Sequence, residues 1–507
     1  MGDSGVEGSV QEFDVIIVGA GLSGIGAACH LKERCPDKTY ALLESRDAVG
    51  GTWDLYRYPG IRSDSDMHTL GYRFKPWRAE KSIADGPSIL DYVNETADEN
   101  DVRQHIRFHR RLVRADWSSE EARWTLEVAC GDRDGATETF RCNFLLMCSG
   151  YYSYSDPYRV TFEGEEDFEG EMFHPQEWPQ DLDYTGKRVV VIGSGATAMT
   201  VVPAMADDAE HVTMLQRSPT YVVSRPDVDS VANGLRKVLP ERWAYAITRW
   251  KNVTMQRFVY RRTRVAPEKV RKMLLDQVRR FLPADDVEKH FTPRYDPWDQ
   301  RLCLIPNNDL FKALRAGKAS VVTDHIDRVS KRGILLQSGA ELEADIIVVA
   351  TGLNLELLGG AEFAVDGTPV AFSESYSYKG MMMSDVPNLI QTFGYINASW
   401  TLRADLTAEY SCRLINRLDE LAMRQVTPRL RDQDQGMAGR PWIEDFSAGY
   451  IQRSIHLMPK QGDHEPWLNT QDFARDKKMI RNAPLEDGAL TFSHPAASPQ
   501  ARADTPQ

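Results

Sequence analysis

A short apolar run, a glycine-rich turn and a helix of small residues occur twice in this sequence. In each copy a second apolar run begins further on, and a charged side chain stands at its end about twenty residues past the turn, acidic in one copy and basic in the other. A basic, aromatic stretch of helical period interrupts the second copy before its domain is complete. Together these observations predict an α/β fold of two Rossmann-like dinucleotide-binding domains with a helical insertion.

The first copy opens with a strand over Asp14–Val18. Its turn is Gly19-Ala20-Gly21-Leu22-Ser23-Gly24, and its helix runs over Ile25–Leu31. The glycines permit a tight turn and let backbone approach a pyrophosphate, which the helix N-terminus meets with free N–H groups and a positive dipole end. The next strand, Tyr40–Leu43, ends in Glu44. An acid there accepts from a free ribose 2′-OH, as in FAD or NAD. The second copy has the strand Val189–Ile192, the turn Gly193-Ser194-Gly195-Ala196-Thr197-Ala198 and a helix from Ala198 to Met205. Its second strand, Val212–Leu215, leads into Gln216-Arg217-Ser218. Arg217 suits a 2′-phosphate, so this copy reads as NADPH rather than NADH. One such turn is weak evidence; two with opposite charge preference imply two domains that set one cofactor against another.

At 507 residues the chain exceeds one ordinary core, so two or three domains are expected. A net charge of −13 weighs against nucleic acid as a bulk partner. Met1–Gln11 lacks the basic and apolar segments of a secretory leader, and no apolar run is long enough to span a bilayer; a cytoplasmic location is expected. Seven cysteines without a C-x-x-C pair fit unpaired thiols in a reducing compartment. They also weigh against a flavin disulfide reductase, which needs a dithiol beside its flavin. No metal site is expected. Residues 1–12 and the tail from Pro495 onward are polar or rich in Ala and Pro, and are expected to be disordered.

After Glu44 come Gly50-Gly51-Thr52-Trp53-Asp54 and Tyr58-Pro59-Gly60-Ile61-Arg62-Ser63-Asp64. Gly50-Gly51 brings backbone up to a ring or phosphate, and Trp53 and Tyr58 suit packing beside an aromatic cofactor. On local chemistry alone Asp64 reads as a turn residue bonding its own backbone. Phe144–Met147 with Cys148-Ser149-Gly150, and Asp345–Val349 with Ala350-Thr351-Gly352, are one device used twice, suggesting two crossings between domains; two ordinary strand exits are the alternative. His174 could serve as acid or base near neutrality, but a hydrogen-bonded structural histidine is the favoured reading.

The helical stretch from Asp229 to His290 reads as a subdomain lining a substrate entrance. The alternative is a basic face with Trp243, Trp250 and Phe258 making peripheral contact with an anionic membrane. Arg301, in Pro297-Trp298-Asp299-Gln300-Arg301-Leu302-Cys303, holds an anion or a structural ion pair. Phe393–Trp400 has the small and aromatic character expected beside a flavin ring, or in a core. The expected limits are 1–150 and 353–507 for the FAD domain, 151–225 and 303–352 for the NADPH domain, and 226–302 for the insertion.

Two of these segments carry a family resemblance. Phe168-x-Gly170-x-x-x-His174-x-x-x-Trp178-Pro179 matches the F-x-G-x-x-x-H-x-x-x-W-P fingerprint of type I Baeyer–Villiger monooxygenases, and stands just before the second glycine turn, as it does in that family. Gly51-x-Trp53 through Tyr58-Pro59-Gly60 to Asp64 matches the family's second motif, and Ala350-Thr351-Gly352 matches its crossing. The similarity covers nearly the whole chain, Asp14 to Asn482. It implies an enzyme that uses FAD and NADPH and forms a C4a-peroxyflavin from O2. The product would be an ester or lactone made from a small ketone, with S-oxygenation of sulfides and thioamides as a second activity.

The resemblance implies that Arg301 is the catalytic arginine, that Asp64 supports it, and that His174 couples domain motion to NADPH. Gly19, Gly21, Gly24, Glu44, Gly193, Gly195, Thr197 and Ala198 are the expected cofactor contacts of the two turns. Gly51, Trp53, Asp64, Thr351 and Gly352 join them, with Arg217 and Ser218 as the 2′-phosphate clamp. The chain departs from the family at Gln300 and Leu302, where many members have Lys and Pro. That removes one contact to NADPH and leaves the 2′-phosphate mainly to Arg217. The competing readings are a monooxygenase confined to N or S atoms, a flavin reductase or NADPH oxidase, and a redox-silent dinucleotide-binding scaffold.

Overall fold

A computed structural model describes residues 10–133, 135–444 and 446–495. Of the expected disordered ends, residues 1–9 and 496–507 lie outside the described residues. Gln11 and Glu12 do not behave as expected: they belong to the first strand, β1 (Gln11–Val18). There Gln11 pairs in register with Phe140, and Glu12 is held by Arg123 at 2.5 Å.

β1 is followed by α1 (Leu22–Arg34), β2 (Tyr40–Leu43), α2 (Thr52–Leu55), α3 (Met67–Leu70), α4 (Gly86–Glu99) and β3 (Ile106–Arg107). Then come β4 (Arg110–Ser118), β5 (Arg123–Cys130) and β6 (Thr137–Met147). The β-branched run of β1 has period two. Val15 and Ile17 pack under α1, whereas Ile16 and Val18 pack with Trp117 and Trp124 on the opposite face. Both faces are therefore covered, and β1 lies parallel between β2 and β6.

The second sheet is formed by β7 (Glu171–Phe173), β8 (Arg188–Ile192) and β9 (His211–Gln216), with β12 (Ala319–Thr323) and β16 (Ile346–Val349), in the order β12-β9-β8-β16-β7, all parallel. Val189 and Val191 pack under α5 (Ala196–Met205). Val190 and Ile192 face a three-stranded flap of β13 (Ile326–Ser330), β14 (Gly333–Leu336) and β15 (Glu341–Glu343). Between them β10 (Val222–Arg225) and β11 (Cys303–Pro306) pair in parallel, so the chain leaves for the insertion and returns at one place. The insertion consists of α6 (Ser230–Val238), α7 (Glu241–Val265), α8 (Pro267–Arg279) and α9 (Ala284–His290).

α10 (Asp309–Arg315) follows β11. After β16 the chain returns to the first sheet with β17 (Glu362–Val365) and β18 (Thr368–Pro369) at its edge, and Leu389–Gln391 pairs with β6. α11 (Trp400–Glu420) then packs in the core beneath β1 and α1. All seven cysteines are free and buried.

Candidate functional site

A cavity of about 460 Å³ opens where the first glycine turn meets the aromatic segment that follows β6. Gly19 has φ +102°, and a Cβ there would lie 2.6 Å from the Cys148 carbonyl oxygen. Gly193 repeats the arrangement with φ +141° and the Ala350 carbonyl oxygen at 2.3 Å. Each turn is thus pressed against the crossing segment of its own domain, which only glycine allows. Gly24 sits in the first turn of α1, where the Gly19 carbonyl oxygen takes the space of a side chain. Gly21 lies against Gly51, and both line the cavity with Trp53. Glu44 is buried; its carboxylate accepts from the Ala20 N–H at 2.7 Å and the Arg46 N–H at 2.9 Å. Those bonds lock the end of β2 to the turn and leave lone pairs toward the cavity.

Asp64 does not bond its own turn. It meets Arg301 in the cavity wall, with Nη2 to Oδ2 at 2.8 Å. The two side chains remain 33% and 46% exposed for Arg301 and Asp64, so the pair is open to a ligand. The Asp64 carboxylate pushes the Arg301 guanidinium well above the ordinary arginine range, outweighing its desolvation, and Tyr450, Tyr151 and Tyr152 act on its charge in the same direction. Arg301 is therefore cationic at every pH at which the fold survives.

The spacing of the second motif has a physical cause. Tyr58-Pro59-Gly60 leaves the first domain to lie on α5, where a Cβ on Gly60 would meet Ala204 Cβ at 2.6 Å. Arg62 then reaches the Met199 carbonyl at 3.3 Å and Asp309 at 2.5 Å, and Asp64 follows at Arg301. α7 holds the chain beside both halves of the pair, at Asp66 and at Asp299. Asn252 and Gln256 donate to the two carboxylate oxygens of Asp66 at 2.8 and 3.0 Å. Arg264 donates to Asp299 at 2.9 Å and to the Pro297 carbonyl at 2.8 Å. Arg264→Ala is expected to loosen the loop that carries Arg301, lowering kcat about tenfold with the KM for the nicotinamide cofactor unchanged; steady-state kinetics checks the split.

In the second domain Gly195 and Ala196 are exposed, and no atom lies within 4 Å of a Cβ built on Gly195. Thr197 and Ala198 follow in α5. Arg217 and Ser218 are exposed at the end of β9, and among the described residues Arg217 has no ion-pair partner. The Ser194 hydroxyl ties this end to the turn by donating to the Ser218 carbonyl at 3.1 Å.

His174 stands apart from Arg301 and does not line the cavity. Its Nδ1 accepts from the Gln176 N–H at 3.2 Å, so Nε2 carries the proton and donates to the Gly352 carbonyl at 2.9 Å. The fingerprint thereby staples the crossing at Thr351-Gly352. Burial holds the His174 imidazole below the ordinary histidine range. As pH falls, the unfolded chain takes the proton first, so this contact contributes full stability above about pH 6.5 and loses it below. Between about pH 7 and about pH 5.5 the Tm of the native chain should fall further than that of His174→Asn.

Sequence comparison fits this architecture. The family model described as "Flavin-binding monooxygenase-like" matches residues 82–358, and one described as an NAD(P)-binding Rossmann-like domain matches residues 17–79. The FAD-containing monooxygenase EthA of Mycobacterium tuberculosis (strain CDC 1551 / Oshkosh) is 53% identical over 485 residues, covering 95% of this chain and 98% of that protein. The chain belongs to the flavin-binding monooxygenase-like family. The probable FAD-binding monooxygenase AlmA of Acinetobacter baylyi is 47% identical to this monooxygenase over 483 residues, covering 95% of this chain and 96% of AlmA. In fold the enzyme is similar to a steroid monooxygenase bound to NADP, with a TM-score of 0.76 at 22% identity, over 96% of this chain and 100% of that one. An open cyclohexanone monooxygenase has a TM-score of 0.73 at 19% identity over the same shares.

The residues of this flavin-binding monooxygenase fit two dinucleotides. Gly21 and Gly195 are the N-caps of α1 and α5, and neither helix has a side-chain cap among the described residues, so their first N–H groups are free for a phosphate. Several residues of the site escaped sequence reasoning. Tyr151 and Tyr152 line the cavity with Arg301, and Tyr151 stacks on Trp400 with ring centroids 5.0 Å apart. Trp400 in turn donates to Ser23 at 2.7 Å, beside the first turn. The run Tyr151-Tyr152 directly after a crossing glycine was the one available signal.

Proposed function

We propose that this monooxygenase is an NADPH-dependent Baeyer–Villiger enzyme that converts a ketone to an ester or lactone with one atom of O2, and oxygenates sulfides and thioamides at the same site. The observation that carries the reading is the Arg301–Asp64 pair in the wall of the cavity fronted by the first glycine turn. FAD, when bound, supplies the reduction by NADPH and the activation of O2. Gly19, Gly21, Gly24, Glu44, Gly51 and Trp53 would hold it. Gly193, Gly195, Thr197 and Ala198 would receive the pyrophosphate of NADPH, and Arg217 and Ser218 its 2′-phosphate, with Thr351-Gly352 behind the turn. The NADP in the steroid monooxygenase structure and the FAD of EthA support this pair of cofactors.

Arg301 places a fixed positive charge where the ketone oxygen turns negative, in a site already organised before substrate arrives. Asp64 aims the guanidinium and keeps it from swinging to other acceptors. The rings of Tyr151 and Trp400, with Phe393 packed behind Tyr151, make this side of the cavity wall apolar. His174 performs no proton transfer; it holds the second crossing in register.

The test is aerobic turnover with NADPH, ¹⁸O2 and a mixed panel of ketones and sulfides, with products identified by mass. An ester or lactone carrying one ¹⁸O is expected. Labelled sulfoxide alone would restrict the enzyme to heteroatoms, and NADPH consumption yielding only hydrogen peroxide would favour an oxidase.

A further inference from the structure

The inner face of α7 holds Asp66 and Asp299, but among the described residues its outer face has no partner. Trp243, Ile247, Trp250, Phe258 and Val265 fall on one stripe of the helix at about 100° per residue. Trp250 is 69% exposed, Phe258 60% and Val265 78%. α6 adds Val238, also largely exposed. Among the described residues, none of α6–α9 lines the cavity. Two tryptophans and a phenylalanine in water on one helix face mark an interaction surface.

Charge identifies the occupant. From Arg242 to Val265 the helix has no acid. Arg242, Arg261 and Arg262 are exposed, and among the described residues they have no ion-pair partner. Arg261 lies within the apolar stripe itself, and Arg242 lies against Trp243 with its guanidinium 5.9 Å from the ring centroid. We propose that this face docks on an anionic lipid bilayer, with α7 lying in the plane of the headgroups. Aromatic rings and arginines are the side chains that suit that interface. No helix among the described residues is long and apolar enough to cross a membrane, so the contact is peripheral. With a net charge of −13 the chain as a whole is repelled by such a surface, so approach needs a locally basic face such as this one. A second copy fits less well, because a two-fold contact would set the arginines of one stripe against those of the other.

The test uses the flavin-loaded full chain with vesicles of phosphatidylcholine alone or mixed with phosphatidylglycerol, following co-sedimentation and tryptophan emission. Binding to the anionic vesicles only, with a blue shift, is expected. Arg261→Gln should weaken it about fivefold. The double variant Trp250→Ser/Phe258→Ser should weaken it at least about tenfold, without changing Tm or turnover of a water-soluble substrate. No co-sedimentation, or binding indifferent to these substitutions, overturns the proposal. So does a self-association in ultracentrifugation that the double variant abolishes, which would assign the face to a second copy.

Discussion

Arg301→Ala is expected to leave reduction of the flavin by NADPH intact while ester formation falls by at least about 10²–10³, the usual cost of one preorganised donor at a developing oxyanion. The loss should be at the upper end of that range. Truncation removes the cation and also leaves the Asp64 carboxylate facing the cavity, a negative charge where negative charge must develop. Arg301→Lys should recover part of the rate: it keeps the charge but not the planar fork that Asp64 aims. Asp64→Ala should cost less than Arg301→Ala, since the guanidinium stays charged without it and loses only its direction. Anaerobic stopped-flow absorbance isolates the reductive step, and product mass under ¹⁸O2 reports oxygen transfer. If Arg301→Ala made ester at the native rate, Arg301 would have no place in the chemistry.

Which parts of this site could be read from the chain depends on the range of the forces involved. Both glycine turns were legible because their determinants are local: an apolar strand, a glycine that alone tolerates the crossing carbonyl at its back, and a charged residue at the next strand's end. The fingerprint segment and Asp64 were legible only as a pattern. Local chemistry made Asp64 a turn residue, since nothing near it in the chain announces that Tyr58-Pro59-Gly60 will be laid on α5 and so deliver it to Arg301. The grip of α7 on Asp66 and Asp299 was not legible at all. Asn252, Gln256 and Arg264 become ligands for those aspartates only after the helix docks, and in the sequence they are polar residues in a basic helix. The outer stripe of α7 was ambiguous for a related reason: apolar residues at helical spacing say that a face is covered, not by what. Exposure in the folded chain separates the two, because the buried face is Ala244, Tyr245, Thr248 and Arg249 while the tryptophans point outward.

On the proposed reading, the choice of NADPH over NADH rests on one side chain, Arg217. Arg217→Ala is expected to raise the KM for NADPH about 10- to 100-fold and to leave the KM for NADH unchanged, because a hydrogen bond to a charged group contributes about 1.5–3 kcal/mol. The fold should not register the change. Arg217 is exposed and without an ion-pair partner among the described residues, so it stabilises nothing in the free enzyme and Tm should stay where it is. The chain beside it is nonetheless held: Ser194 bonds the Ser218 carbonyl and the Thr220 hydroxyl, which fixes the end of β9 against the second glycine turn. The effect should be large because the load is concentrated. Gln300 stands where many relatives of the Baeyer–Villiger type have a lysine, so a second cation that would cushion the loss is missing from that position. Gln300→Lys in the Arg217→Ala background should then recover part of the NADPH affinity, whereas in the native chain it should add little. Steady-state KM values with both cofactors decide the matter. If the preference for NADPH over NADH did not move in Arg217→Ala, the 2′-phosphate would have to be held elsewhere, and the basic end of β9 would be a solvated surface with no part in cofactor choice.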